Sequence, residues 1–200
     1  MSARTPDATP RRRLSRQART RQLLDVAWTL IRSKGTDALT LGQLAEDAGV
    51  SKPVVYDHFG TRNGLLAALY KDFDARQTAI IDAAIAASKP TLEDKASVIA
   101  SRYVACVLAQ GREIPSVLAA LGGSPELASV KRHYQQVFIE KCRKILAPFS
   151  GPTGVSPAAL WALLGAADSL SQAVVSGDIS EEQARHALFV STLAMVKRSK

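Results

Sequence analysis

Cysteine is scarce in this 200-residue chain, and several other signatures are missing altogether. The two cysteines, Cys106 and Cys142, share no CxxC spacing and sit inside apolar helical patterns. They read as buried thiols in a reducing compartment, not as a disulfide frame or a zinc site. The most apolar run, Ala158 to Ala167, is about half the ~20 residues needed to span a bilayer. The N-terminus is rich in Arg, Pro and Thr and has no apolar core of the secretory kind. A soluble, cytoplasmic protein with no membrane partner is expected. Alternating β-branched runs and internal repeats are also missing, so no sheet is expected. Catalytic signatures fare no better: there is no GxSxG elbow, no Gly-rich phosphate loop and no HExxH. The three histidines, His58, His133 and His186, are scattered along the chain. A Cys106–His133 nucleophile can be drawn on paper, but both residues fit ordinary helix positions. No enzyme activity, metal or cofactor is expected.

What the chain has is positive charge and helical periodicity. Its net charge is +8, and 46% of its residues are hydrophobic, which describes a folded chain with a leaning toward polyanions. The charge is concentrated at the start. Residues 1–65 hold eleven Lys/Arg against six Asp/Glu, and seven of the arginines precede residue 22. Residues 1–13 lack periodicity and read as a disordered basic arm. From there on, everything between the breaks reads helical. Ser15 caps a helix with the stripe Leu23, Leu24, Ala27, Leu30 and Ile31, ending near Gly35. Thr40 caps a short helix ending at Gly49, and a third follows from about Ser51 to Phe59. Thr61 then caps a long helix closed by Pro90. Further helices are expected over Leu92–Gln110, Pro115–Leu121, Pro125–Phe149, Pro157–Ser176 and Glu181–Arg198. The fold class is therefore all-α, with about nine helices.

The third helix is a poor one by folding criteria. It places two valines after a proline and follows them with Tyr56, Asp57 and His58, which neither favour helix nor bury well. Its setting explains it. Residues 41–59, LGQLAEDAGVSKPVVYDHF, have the arithmetic of a helix-turn-helix. Ala45 is small enough for a crossing helix, and Gly49 supplies the turn. Val50, Val55 and Phe59 point inward against Leu41, Leu44 and Ala48. Lys52, Pro53, Val54, Asp57 and His58 are left facing out, with Tyr56 at the margin. A lysine and free helix N-terminal amides suit phosphate. Val54 and the Pro53 ring suit thymine methyls in a major groove, and Tyr56 and His58 can donate to the backbone.

From about Arg16 to Tyr70 the chain resembles the DNA-binding domain of the tetracycline-repressor (TetR) family of transcriptional regulators. The resemblance is carried by LLDVAWTLIRSKGTDALTLGQLAEDAGVSKPVVYDHFGTRNGLLAAL: the apolar first helix, Gly35, Thr40, Leu44-Ala45, Ala48-Gly49-Val50-Ser51, Tyr56, His58-Phe59, Arg62 and Leu65. It covers about a quarter of the chain. It implies that Thr40 contacts phosphate and that Ser51, Lys52, Pro53 and Val54 lie at the major-groove end of the recognition helix. Tyr56 and His58 would flank the DNA backbone, and Arg62 would stand where the family usually has a phosphate-contacting lysine. Asp57 departs from what a phosphate neighbour should be; it either accepts from a cytosine amino group or pairs with Arg62. The arginines of residues 11–21 have two readings, an arm in an adjacent minor groove or a solvated tail.

The resemblance implies three segments: the arm (1–13), a helix-turn-helix domain (14–64, its last helix running on to about 87) and a helical ligand-binding and dimerisation domain (65–200). In the last two helices Ala158, Trp161, Ala162, Gly165 and Ala166 match Ala184, Ala187, Leu188, Ser191 and Ala194 in register, and small residues let helices approach closely. A homodimer through them is expected, with Trp161, Gly165, Ala187, Leu188 and Ser191 at the interface. Candidate residues for a small-molecule effector pocket are Tyr103, Cys106, Leu118, Phe138, Trp161, Leu164 and Asp168. Asp168 interrupts an apolar run and needs a partner, whether Arg102, a group from a second subunit or a cationic ligand. The function implied is a regulator, most simply a repressor, released from a palindromic DNA operator by an effector. The alternative is a helical module whose basic head binds DNA without reading sequence or docks an acidic protein.

Overall fold

The computed structural model describes residues 14–109, 117, 119–120 and 125–199. Among them are eight α-helices: α1 (Arg16–Lys34), α2 (Leu41–Asp47), α3 (Lys52–Phe59), α4 (Arg62–Ala87), α5 (Leu92–Ala109), α6 (Pro125–Leu146), α7 (Pro157–Ser176) and α8 (Glu181–Lys197). A short 3-10 turn, Ala147–Phe149, extends α6. The expected arm (1–13) and most of the expected helix 115–121 lie outside the described residues; Val117, Ala119 and Ala120 are helical.

Capping residues set the boundaries as the sequence suggested. The Ser15, Thr40 and Thr61 side chains accept from the backbone N–H groups of Ala18, Gln43 and Gly64, at 3.2, 3.0 and 3.0 Å. Ser180 and Gln183 form a reciprocal capping box at the start of α8. At the turn between α2 and α3, Gly49 adopts φ +63°, a conformation that a side chain resists.

There are two cores, and α4 runs through both. The first joins Leu23, Leu24, Ala27, Trp28, Leu30 and Ile31 of α1 to Leu44, Ala45, Val55 and Phe59, and then to Leu65, Leu66, Leu69 and Phe73 of α4. Val117 and Leu127 also belong to it, so the position 64/65 falls inside this core. The second core gathers Ile99, Ala100 and Val104 of α5, Cys142 and Leu146 of α6, Leu160, Leu163 and Ala167 of α7, and Ala184, Leu188 and Val196 of α8. Ile85 of α4 packs against it. At 26 residues α4 is about 39 Å long, enough to reach from one core to the other.

One described helix, α7, is long and apolar enough to cross a bilayer, with a mean hydropathy of 1.4. The apolar character thus extends well beyond Ala158–Ala167, because Leu170, Ala173, Val174 and Val175 continue it. In the fold one face of α7 is core. The other carries the exposed Ala158, Trp161, Ala162 and Gly165.

Candidate nucleic-acid interface and interior cavity

The helix-turn-helix presents the N-terminal end of α3. Val55 and Phe59 are buried beneath it, while Ser51, Lys52, Pro53 and Tyr56 are exposed and Val54 is half-buried. Ser51 caps α3 without a side-chain hydrogen bond, so its hydroxyl is uncommitted. Lys52 lies across α2: a Cβ built on Gly42 would sit 3.7 Å from Lys52 Cε and 3.9 Å from Thr40 Oγ1. The chain thereby brings a cation and a hydroxyl from different helices to one edge, with two helix N-termini beside them. That arrangement suits a phosphate.

Three of the residues considered for the DNA face, Asp57, His58 and Arg62, have partners inside the protein. Asp57 Oδ2 accepts from Arg16 Nη1 at 2.8 Å, and the Asp57 carbonyl accepts from Arg16 Nη2 at 3.0 Å. Its partner is therefore α1, not Arg62. His58 is half-buried, with Nδ1 2.9 Å from Thr20 Oγ1 of α1, so one side of its ring is engaged within the protein. His58 is the penultimate residue of α3, at the end that packs toward α1. Arg62 is likewise engaged: Nε donates to the Leu39 carbonyl at 2.9 Å and Nη2 to the Thr36 carbonyl at 2.8 Å. It holds the α1–α2 loop, and its fork geometry matches two carbonyls better than a lysine would.

Burial lowers the imidazole pKa of His58, assisted by the charges of Arg16 and Arg19 and opposed by Asp57. Its folded value lies below the ordinary ~6.5, so the unfolded chain takes up the proton first as pH falls. The stability it contributes is present above ~6.5 and is lost below that, until the folded value is passed. Urea midpoints at pH 7.5 and 5.5 should fall further for the wild type than for His58→Gln. Equal falls would remove His58 from the account.

Arginines that read as part of the basic arm are also committed. Arg21 pairs with Asp25 and with Asp72 of α4, and Trp28 Nε1 donates to Asp72 Oδ2 at 3.3 Å. Arg76 closes the cluster on Asp72. Burial pushes the Asp72 carboxyl up, but the Arg21 hydrogen bond, the Arg76 charge and Trp28 together bring it below its usual range. This cluster fastens α4 to α1.

The opposite side of α4 lines a cavity of about 650 Å³ between α4, α5, α6 and α7. Five expected residues line it: Tyr103, Cys106, Phe138, Leu164 and Asp168. Leu118 lies outside the described residues. Trp161 does not line it, because the cavity begins one turn further along α7, at Leu164; the indole stands on the exterior, 38% exposed. The α4 wall, Tyr70, Phe73, Asp74, Gln77, Thr78 and Ile81, is not among the residues expected from the sequence. Tyr70 and Phe73 also fit the apolar stripe of a core helix, and the signal in the sequence is Asp74 and Gln77 interrupting that helix.

Aromatic edges meet around the cavity. Tyr70 and Tyr134 stack T-shaped at 5.2 Å between centroids, as do Tyr103 and Phe138 at 5.1 Å. Asp168 finds its partner here, accepting from the Tyr103 hydroxyl. Burial pushes the Cys106 thiol up to about 12, away from nucleophile chemistry. Among the described residues no three His, Cys, Asp or Glu side chains could share a metal ion.

On α7 and α8 the exterior face holds Trp161, Ala162, Gly165, Ala187, Val190, Ser191 and Ala194, each exposed or half-buried. Leu188 and Ala184 are fully buried in the second core. Leu188 therefore belongs to the protomer's interior, on the side of α8 turned away from the exposed Val190.

The helix-turn-helix head carried on this helical body is that of a DNA-binding transcriptional regulator. Residues 23–69, which span the helix-turn-helix head, match the family model of bacterial regulatory proteins of the tetR family. The fold agrees. A TetR-family regulator structure from Rhodococcus sp., described as putative, aligns at 18% identity, covering 89% of this chain and 98% of that one with a TM-score of 0.74. A TetR-family transcriptional regulator from Streptomyces coelicolor aligns at 18% identity over 90% and 95%, TM-score 0.69. The multidrug binding protein EbrR, complexed with imidazole, aligns at 22% identity over 86% and 94%, TM-score 0.67. No curated protein sequence matches the chain.

Proposed function

We propose that this regulator is a cytoplasmic homodimeric repressor that reads a palindromic operator and is released by a small molecule in the cavity. The observation that carries this reading is the adjacency on α4. Asp72 grips Arg21 and Trp28 of the head, and the neighbouring Phe73 and Asp74 line the cavity. A ligand that displaces the cavity wall must shift α4, and through Asp72 it shifts α1, to which α3 is tied by Arg16–Asp57 and Thr20–His58. Preference for the displaced position by 1–3 kcal/mol lowers operator affinity roughly 5–150-fold.

The DNA contacts fall to Thr40, Ser51, Lys52, Pro53, Val54 and Tyr56. Lys52 and Thr40 hold phosphate, and the Pro53 ring and Val54 meet base methyl groups. The exposed small-residue faces of α7 and α8, with Trp161 and Val190, pair about a two-fold axis and set two heads about one DNA turn (~34 Å) apart. The domains are then the head, whose core extends through Phe73, and a sensing and pairing body sharing α4 with it.

Selection of bound sites from a random DNA pool tests this directly. An enriched palindrome, bound at least ~10³-fold more tightly than its scramble, is the expected result. Lys52→Ala should then weaken binding to every sequence and reduce the slope of log K against log salt by ~0.9 per site. Val54→Ala should change base preference and leave that slope alone. No enriched site would refute operator reading, and a Val54→Ala that behaves like Lys52→Ala would refute this placement of the recognition face.

A further inference from the structure

The charge distribution inside the cavity says what kind of molecule it takes. The carboxylates of Asp74, Asp168 and Asp178 border it together with the rings of Tyr70, Tyr103, Tyr134 and Phe138. Asp168 is oriented by the Tyr103 hydroxyl. Asp74 is half-buried, and among the described residues no hydrogen bond or ion pair engages its carboxylate, which leaves it available to a donor or cation in the cavity. Burial holds its carboxyl above the usual range, although Lys141 and His133 act in the other direction.

Two lysines also border the cavity. Lys141 is committed to Asp82 at 2.5 Å. That leaves three carboxylates in the lining, Asp74, Asp168 and Asp178, against one lysine, Lys131, so the cavity is net negative. Ring faces are electron-rich and attract cations within about 6 Å of the centroid, so rings and carboxylates point to the same ligand charge.

We propose that the cavity selects an organic cation with apolar or aromatic substituents, using Asp74 and Asp168 as counter-ions and the Tyr70, Tyr103, Tyr134 and Phe138 rings as walls. The volume suits a drug-sized ligand rather than a metal ion or a single amino acid. This rests on the reading of the cavity as the effector site.

Tetraphenylphosphonium and tetraphenylborate have nearly the same shape and opposite charge, and their binding to the full chain can be measured by calorimetry without DNA. The cation should bind roughly tenfold or more tightly than the anion. Asp74→Asn should weaken the cation roughly tenfold and leave the anion unchanged or improved. Asp168→Asn is the second variant should Asp74→Asn fail to fold. Equal or tighter binding of the anion overturns the proposal, as does cation binding indifferent to both substitutions, or binding of neither ion. Operator release is a separate readout. A cation that binds charge-selectively and does not release DNA would sink the effector reading alone, whereas release by the anion and not the cation would sink the charge assignment alone.

Discussion

Gly64→Ala should strongly destabilise the DNA-binding head, although an alanine in place of a helical glycine ordinarily stabilises by about 0.4–1 kcal/mol. Gly64 lies in the first turn of α4, its N–H donating to the Thr61 hydroxyl at 3.0 Å. A Cβ at this position would stand 2.0 Å from the Phe59 carbonyl oxygen and 3.2 Å from its carbon. The obstacle is backbone, so no rotamer change relieves it. The Phe59 carbonyl is also fixed from the other side, accepting from the Thr61 N–H at 2.7 Å in a turn whose Gly60 has φ +66°. Relief requires parting α3 from α4, which withdraws Phe59 from a core that also holds the fully buried Leu65 and Leu66. Overpacking of this kind costs about 1–3 kcal/mol and more where backbone must move, so a loss of about 3 kcal/mol is expected. Urea unfolding should show it as a large drop in midpoint, with operator binding lost in parallel. A variant with the wild-type midpoint would mean that the two helices are not pressed together as described.

That glycine shows where reading a sequence stops. A glycine inside a helical pattern can signal a close approach, but nothing in the local sequence names the Phe59 carbonyl as the neighbour. The helices themselves were legible because their information is local. Ser15, Thr40, Thr61 and Ser180 cap their own chains, and the stripe of α1 faces one core along its length. The inward set of the recognition helix was legible for the same reason, since Val55 and Phe59 are one turn apart. Partners separated by many residues were not. Arg16 and Asp57 stand 41 positions apart, Arg21 and Asp72 stand 51 apart, and Tyr103 and Asp168 stand 65 apart. Each polar residue could be recognised as needing a partner, but the partner's identity depends on how helices cross. The cavity was half-legible for a related reason: aromatics on α5 and α6 read as candidates, whereas Tyr70 and Phe73 merged into the stripe of a helix that serves two cores.

The middle of α4 is where these long-range contacts acquire a function. Consecutive residues on a helix project about 100° apart, so Asp72 can face α1 while Phe73 and Asp74 turn toward the body. Short hydrogen-bonded links then run from the cavity wall to the recognition helix with no flexible segment between them. The head is also braced internally, so it responds as a unit. Arg62 is the clearest case of such bracing.

Arg62→Ala should destabilise the head by about 2–4 kcal/mol while leaving the salt dependence of DNA binding intact. The guanidinium donates to the Thr36 and Leu39 carbonyls, and Leu39 itself is fully buried. Charge-assisted hydrogen bonds of this kind contribute about 1.5–3 kcal/mol each, and the Thr36 oxygen keeps one other donor, the Leu39 N–H at 3.1 Å. The loop they hold leads directly into Thr40, the α2 cap, so loss of the bracket displaces a proposed phosphate contact without removing a charge from the interface. Operator affinity should therefore fall, yet the slope of log K against log salt should match the wild type. Arg62→Lys supplies the discriminating comparison. A lysine preserves the charge but cannot fork between two carbonyls, so it should resemble alanine in urea unfolding if the residue is a bracket. If Arg62 instead met phosphate, Arg62→Lys would keep both stability and slope, and Arg62→Ala would reduce the slope by ~0.9 per site with an unchanged urea midpoint.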